Sequence, residues 1–248
     1  MFRGIGFDLD GTLYPNYRLY FRVLPSLLPH FRFFAAFSKV RSLFHRRDVP
    51  GGPDSSKSGP DASETGIPDF YETQALLMGK ILKQDPRRLR EKAETLIYRG
   101  WEAHFSRIRP FPHLKETLKA FRGAGLRLGV LSDFPPERKL ELLGLGGLFD
   151  TALSSEKTGS LKPQDRPFLL LARELGLDPA EILYVGNSPG YDAEGALAAG
   201  MGAALIRRNF LSTGLFRTPA APAAGSGGTR GGCFIFSDYR QLRKYVLG

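Results

Sequence analysis

Short apolar runs of β type alternate with helical stretches over most of this chain, and that alternation directs it toward a parallel sheet covered on both faces. The runs are Leu126–Leu131, Ile182–Val185, Ala203–Ile206 and Cys233–Phe236. Helical patterns lie between them at about Leu114–Phe121, Glu137–Leu143, Pro167–Leu175 and Asp192–Ala199. The opening run Ile5–Leu9 is of the same type, although about 100 residues separate it from the next strand. An inserted helical unit accounts for that gap.

Within the gap, Phe70–Gln84 carries apolar residues at helical spacing, and Asp85-Pro86 reads as an N-cap followed by proline at the first helical position. A second helix is expected through Leu89, Ala93, Leu96, Ile97 and Trp101 to about Phe105, closed by Arg109-Pro110-Phe111-Pro112. Asp48–Gly66 is rich in Gly, Pro and Ser and reads as a flexible loop, as does the low-complexity segment at about 212–232.

Charge adds a second constraint. The 248 residues hold 35 Lys plus Arg against 25 Asp plus Glu, a net charge of +10. Residues 11–47 alone carry seven basic side chains, no acidic one and nine aromatics. Such a stretch suits a substrate-facing helix, a membrane surface or nucleic acid; the reading favoured here packs the aromatics into a helical core and leaves most arginines solvated. Phe21–Phe44 is broken by six charged or proline residues, so no membrane span is expected. The acids at positions 8 and 10 leave no room for an export signal, and the single cysteine, Cys233, cannot form an intramolecular disulfide. Both point to a cytoplasmic protein. The four histidines show no metal-ligand spacing.

The chemistry gathers at strand ends. In Phe7-Asp8-Leu9-Asp10-Gly11-Thr12-Leu13, residues two apart on a strand point the same way, so both carboxylates can face the crevice where open α/β sheets bind ligands. Two such acids make half of a site for a hard cation, and a carboxylate beside it can act as a nucleophile. Ser132 and Asp133 follow the second run, Lys162-Pro163 precedes a helix, and Asn187-Ser188 leads to Asp192 after Ile182–Val185. A hydroxyl, an ammonium group and further oxygen donors are thereby returned toward one edge.

These four segments, in this order, resemble the haloacid dehalogenase superfamily of aspartate-nucleophile hydrolases, in its helical-cap phosphatase form. The resemblance implies an α/β fold with a Rossmann-like core at residues 1–14 and 109–248 and a helical cap at 15–108. It implies Asp8 as nucleophile, Asp10 as general acid and base, Ser132 and Lys162 as catalytic phosphate contacts with Thr12 beside them, and Asp8, Asp10, Asn187 and Asp192 as holders of Mg2+. Lys162 is preferred to Lys157 because Lys162-Pro163 followed by Phe168 fits the family pattern.

Two positions depart from that pattern. Asn187 stands where the family usually has Asp, which removes one formal charge from the metal site and lowers the affinity expected there. Asp133 stands where Asn is common, beside the phosphate hydroxyl. An asparagine at the fourth motif is similar to the dehalogenases themselves, but those lack the second aspartate; Asp10 favours phosphate esters, whose leaving oxygen needs a proton. The expected activity is Mg2+-dependent hydrolysis of a small phosphorylated metabolite through an aspartyl phosphate, with no nucleic-acid partner. A non-catalytic or weakly active binding protein that uses the basic, aromatic stretch and a phosphoryl-transferring mutase are the alternatives, and substrate identity and oligomeric state stay open.

Overall fold

The computed structural model describes residues 1–46, 69–105, 107–207 and 232–248. The loop expected at 48–66, and all of that at 212–232 except Gly232, lie outside the described residues. Strands β1 (Gly4–Phe7), β2 (Arg127–Ser132), β3 (Thr151–Ser154), β4 (Ile182–Gly186), β5 (Gly202–Ile206) and β6 (Cys233–Phe236) form one parallel sheet ordered β3-β2-β1-β4-β5-β6. The α/β class expected from the alternation is the class observed. Every residue of β1 and β4 is buried, as strands covered on both faces require.

Between β1 and β2 run α1 (Tyr17–Leu27), α2 (Phe31–Arg46), α3 (Phe70–Leu82), α4 (Pro86–Ala93) and α5 (Glu102–Phe105). The expected cap forms, with Asp85 accepting from Arg87 N–H at 2.9 Å, and Asp69 caps α3 as well by accepting from the N–H groups of Tyr71 and Glu72. The single helix expected from Leu89 to Phe105 is instead broken. A π-helical turn at Glu94–Tyr98, closed by Arg99 N–H to the Glu94 carbonyl at 2.9 Å, widens the coil before Gly100. Hydrophobic periodicity does not register one extra residue in a turn. Phe33, Phe37, Phe44, Phe70, Met78 and Leu89 form the apolar centre of this insert, while Phe21 and Phe31 face solvent. Leu19 and Val23 of α1 pack instead with the residues of the sheet.

The remaining helices cover the sheet. On one face, α6 (Leu114–Gly123), α7 (Glu137–Leu142) and α10 (Tyr239–Leu247) set Leu118, Leu140 and Leu242 against Ile5, Phe7 and Val185. On the other, α8 (Asp165–Leu175) and α9 (Glu194–Ala198) pack Phe168, Leu171 and Ala196 against Leu131, Ile182 and Tyr184. Gly6 and Gly129 sit side by side beneath α8, where a Cβ on either would come within 2.6 Å of Leu171. Their lack of a side chain is what lets the helix lie this close.

Strand β1 is central, with β2 on one side and β4 on the other. The chain therefore reverses its direction of progress across the sheet at β1 and β4, and the crevice beyond their carboxyl ends is where this class of sheet takes ligands. Among the described residues no helix is long and apolar enough to cross a membrane.

Candidate active site

Asp8 follows β1 directly, and its N–H bonds the Val185 carbonyl at 2.9 Å, which continues the ladder by one residue and fixes where the carboxylate emerges. Its side chain is buried. Lys162 Nζ donates to Asp8 Oδ1 and Asp192 Oδ1, both at 2.7 Å, and lies 3.2 Å from the Tyr184 hydroxyl. Asp192 Oδ2 in turn accepts from the N–H groups of Asn187 at 3.0 Å and Ser188 at 2.9 Å. Thr12 Oγ1 lies 2.8 Å from Asp8 Oδ2 and 3.3 Å from Asn187 Oδ1; its one proton goes to the nearer carboxylate. Gly11, at φ +94°, turns the chain just after Asp10, and a Cβ there would lie 2.4 Å from Asn187 Nδ2.

Burial pushes Asp8 up to about 7, with the Asp192 and Asp10 carboxylates adding to the rise and the Lys162 ammonium opposing it. The two carboxylates outweigh the desolvation of Lys162 and hold it charged, well above the ordinary lysine range.

The sequence-derived residues Asp8, Thr12, Lys162, Asn187 and Asp192 are thus in one hydrogen-bonded cluster. Asp10, two residues beyond Asp8, is turned to different partners. It accepts from the Tyr14 hydroxyl, and Lys139 Nζ lies 2.8 Å from each of its oxygens. Ser132 ends β2, the strand beside β1, with its Oγ accepting from Phe134 N–H at 3.2 Å. Lys157 is exposed and near Glu137, apart from this group.

Asp133 points toward the insert. Its Oδ1 accepts from Lys162 N–H at 3.4 Å, its Oδ2 lies 3.9 Å from His45 Nδ1, and Arg41 donates to its carbonyl. Arg41 departs from the expectation of a solvated arginine: it is buried, paired with Glu156 after β3, and lies over the Phe134 ring with its guanidinium carbon 4.0 Å from the centroid. Tyr71 and Tyr98 also donate to Glu156, at 3.0 and 2.9 Å. A cavity of about 300 Å³ opens beside Lys139 between the insert and the sheet, lined on its aromatic side by Tyr98, Trp101, Phe105 and Phe134.

Sequence reasoning missed Tyr14, Lys139, Glu156, Arg41 and Tyr184. Tyr14, four residues beyond Asp10, and Tyr184, inside the Ile182–Val185 run, lay within segments already singled out; the others meet the site only through the fold.

The family profile of the haloacid dehalogenase-like hydrolases matches residues 2–200. The glyceraldehyde 3-phosphate phosphatase of Methanopyrus kandleri is 33% identical over 217 residues, covering 84% of this chain and 85% of that protein. The phosphatase of the same name from Methanothermobacter thermautotrophicus is 37% identical over 105 residues, and the chain spans only 46% of its length. Among solved structures, a HAD phosphatase from Thermococcus onnurineus superposes with a TM-score of 0.57 at 23% identity over 99% of this chain and 98% of that one. L-2-haloacid dehalogenase from Xanthobacter autotrophicus gives 0.60 at 18% identity over 100% and 99%. Both likenesses speak to fold alone. With a profile match over most of its length and a full-length phosphatase relative, the chain is a phosphatase-type member of the haloacid dehalogenase-like hydrolase family.

Proposed function

We propose that this protein hydrolyses phosphate monoesters of small metabolites through an aspartyl phosphate on Asp8, in a Mg2+-dependent reaction. The observation that carries this reading is the pairing of a buried Asp8–Lys162–Asp192 array with a second carboxylate, Asp10, held apart from it by Tyr14 and Lys139. One carboxylate is set beside a buried ammonium group, and the other, held by Tyr14 and Lys139, is assigned to proton transfer.

In this reading Asp8 Oδ attacks phosphorus, the bond from phosphorus to the ester oxygen breaks, and Asp10 gives its proton to the departing oxygen. Asp10 then takes a proton from water. That water attacks the phosphoryl group, the bond to Asp8 breaks, and inorganic phosphate leaves with both carboxylates restored to their starting forms. Ser132, Thr12 and Lys162 are assigned to the phosphoryl oxygens. Residues 1–14 and 109–248 form the catalytic core and 15–108 the cap.

The donors present are of the all-oxygen type that a hard divalent cation takes: Asp8 Oδ2 and Asn187 Oδ1 both lie within hydrogen-bonding distance of the Thr12 hydroxyl, and Asp192 and Asp10 would complete the set. Among the described residues, however, no three acidic, His or Cys side chains converge on one point, and Asp10 is turned to Tyr14 and Lys139. When bound, the cation supplies the positive charge that keeps Asp8 ionised and neutralises the phosphoryl oxygens. Asp10 distinguishes this reading from dehalogenation, since a departing halide needs no proton. The glyceraldehyde 3-phosphate phosphatase relatives support a short phosphorylated substrate.

Steady-state release of phosphate from a panel of phosphorylated metabolites, with Mg2+ and with chelator, tests the proposal. Turnover that needs the metal and disappears in Asp8→Asn is the expected result. Full activity in Asp8→Asn would overturn it.

A further inference from the structure

Lys139 lies on α7, in the helix that follows Ser132-Asp133 but outside the segments that carry the family resemblance. Its Nζ is 2.8 Å from both Asp10 oxygens. The same ammonium group stands 5.1, 5.7 and 5.5 Å from the ring centroids of Trp101, Phe105 and Phe134, and its side chain is only 13% exposed. A lysine held this way gives up hydration and rotamer freedom that a surface lysine keeps. The ring faces offset part of that cost.

Three parts of the chain converge on one carboxylate. Tyr14, from the segment after β1, donates to Asp10 Oδ1; Lys139, from a core helix, engages both oxygens; Trp101 and Phe105, from the end of the insert, confine Lys139. A carboxylate gripped on both oxygens by one partner and on one oxygen by another is restricted in rotation about its terminal bond. Tyr14 alone leaves that rotation less constrained.

We propose that Lys139 is the positioning residue for Asp10, fixing the carboxyl group in the orientation from which it protonates the leaving oxygen. This rests on Asp10 acting as the acid. Proton donation matters little when the leaving group is a stable phenolate and a great deal when it is an alkoxide, so loss of Lys139 should be felt in proportion to leaving-group basicity. A residue that merely supports the fold would lower all esters alike.

The test is kcat/KM for a series of phosphate monoesters, from p-nitrophenyl phosphate to simple alkyl phosphates, with Mg2+ present. The enzymes are wild type, Lys139→Met, Lys139→Arg, Asp10→Asn and the double variant Asp10→Asn/Lys139→Met. Because kcat/KM includes only steps through departure of the leaving group, it isolates the acid role. Lys139→Met should lose about 100-fold on the alkyl esters, in the range of general-acid contributions, and less than about 10-fold on p-nitrophenyl phosphate. Lys139→Arg should recover most of the loss, and the double variant should be no worse than Asp10→Asn.

An equal loss across the series, or losses that multiply in the double variant, would overturn the positioning role. Lys139→Gln serves if Lys139→Met does not fold. Absence of wild-type turnover with every ester would overturn the phosphatase reading and this role with it; wild-type turnover with no leaving-group effect of Lys139 overturns only the latter.

Discussion

Arg41 of α2 and Glu156 after β3 form an ion pair across the joint between the helical insert and the sheet, with side chains only 7% and 0% exposed. Tyr71 and Tyr98 donate to the same carboxylate, so three insert side chains grip one core residue. Burial, reinforced by Glu156, raises both phenols and keeps them as donors.

Removing one member of such a pair strands a buried charge. Glu156→Gln or Arg41→Met should each cost about 3–5 kcal/mol, and the double variant should cost less than their sum. Urea unfolding of the four proteins in a double-mutant cycle gives the coupling. Additive losses would contradict a direct pair.

Asp8 makes stability depend on pH. Its carboxyl titrates near 3.8 when unconstrained and at about 7 in the metal-free fold, so between those values the folded state holds a proton that the unfolded chain has released. Its contribution is complete below about pH 4 and is lost as pH rises through about 7. The melting temperature of chelator-treated protein should therefore fall relative to that of Asp8→Asn over this window. Mg2+ should raise the melting temperature at pH 7.5 more than at pH 5. Parallel curves for the two proteins would refute the assignment.

Restoring charge at position 187 should strengthen metal binding. Asn187→Asp is nearly isosteric and keeps an oxygen 3.3 Å from Thr12, while adding a negative charge near Asp8 and Asp192. The Mg2+ concentration for half-maximal activity should drop roughly tenfold, with a lower melting temperature in chelator. A metal titration of activity beside a thermal scan reads both effects.

Ser132 is buried, and its hydroxyl accepts the Phe134 N–H at 3.2 Å. Ser132→Ala should change stability by no more than about 1 kcal/mol. It should lower kcat/KM by about 10² if the hydroxyl holds a phosphoryl oxygen that gains charge in the transition state. Equal kinetics for the two proteins would remove Ser132 from the site.

What the sequence made legible was what repeats or clusters along it. Ile182–Val185 and Cys233–Phe236 announced themselves as strands because every residue is apolar or nearly so. Thr151-Ala152-Leu153-Ser154 did not, because a hydroxyl residue at each end leaves it only two apolar side chains. Asp8, Thr12 and Asn187 were readable because each lies at or just past the end of an apolar run, and Lys162 and Asp192 because their segments fit the family pattern. Lys139 and Glu156 were not, since 129 residues separate Lys139 from Asp10 and 115 separate Glu156 from Arg41.

The central place of β1 sets an order on assembly during synthesis. The first strand made has to wait for β2 and then β4, more than 170 residues later, before both its edges are paired. Even then the loop carrying Asp10 lacks its last support, because the Tyr239 hydroxyl donates to the Thr12 carbonyl at 2.6 Å from the beginning of the final helix. A nascent chain stalled before that helix would hold most of the site's side chains without the turn that aligns them. Contacts this distant in sequence also make folding slow relative to a local helical bundle of the same size.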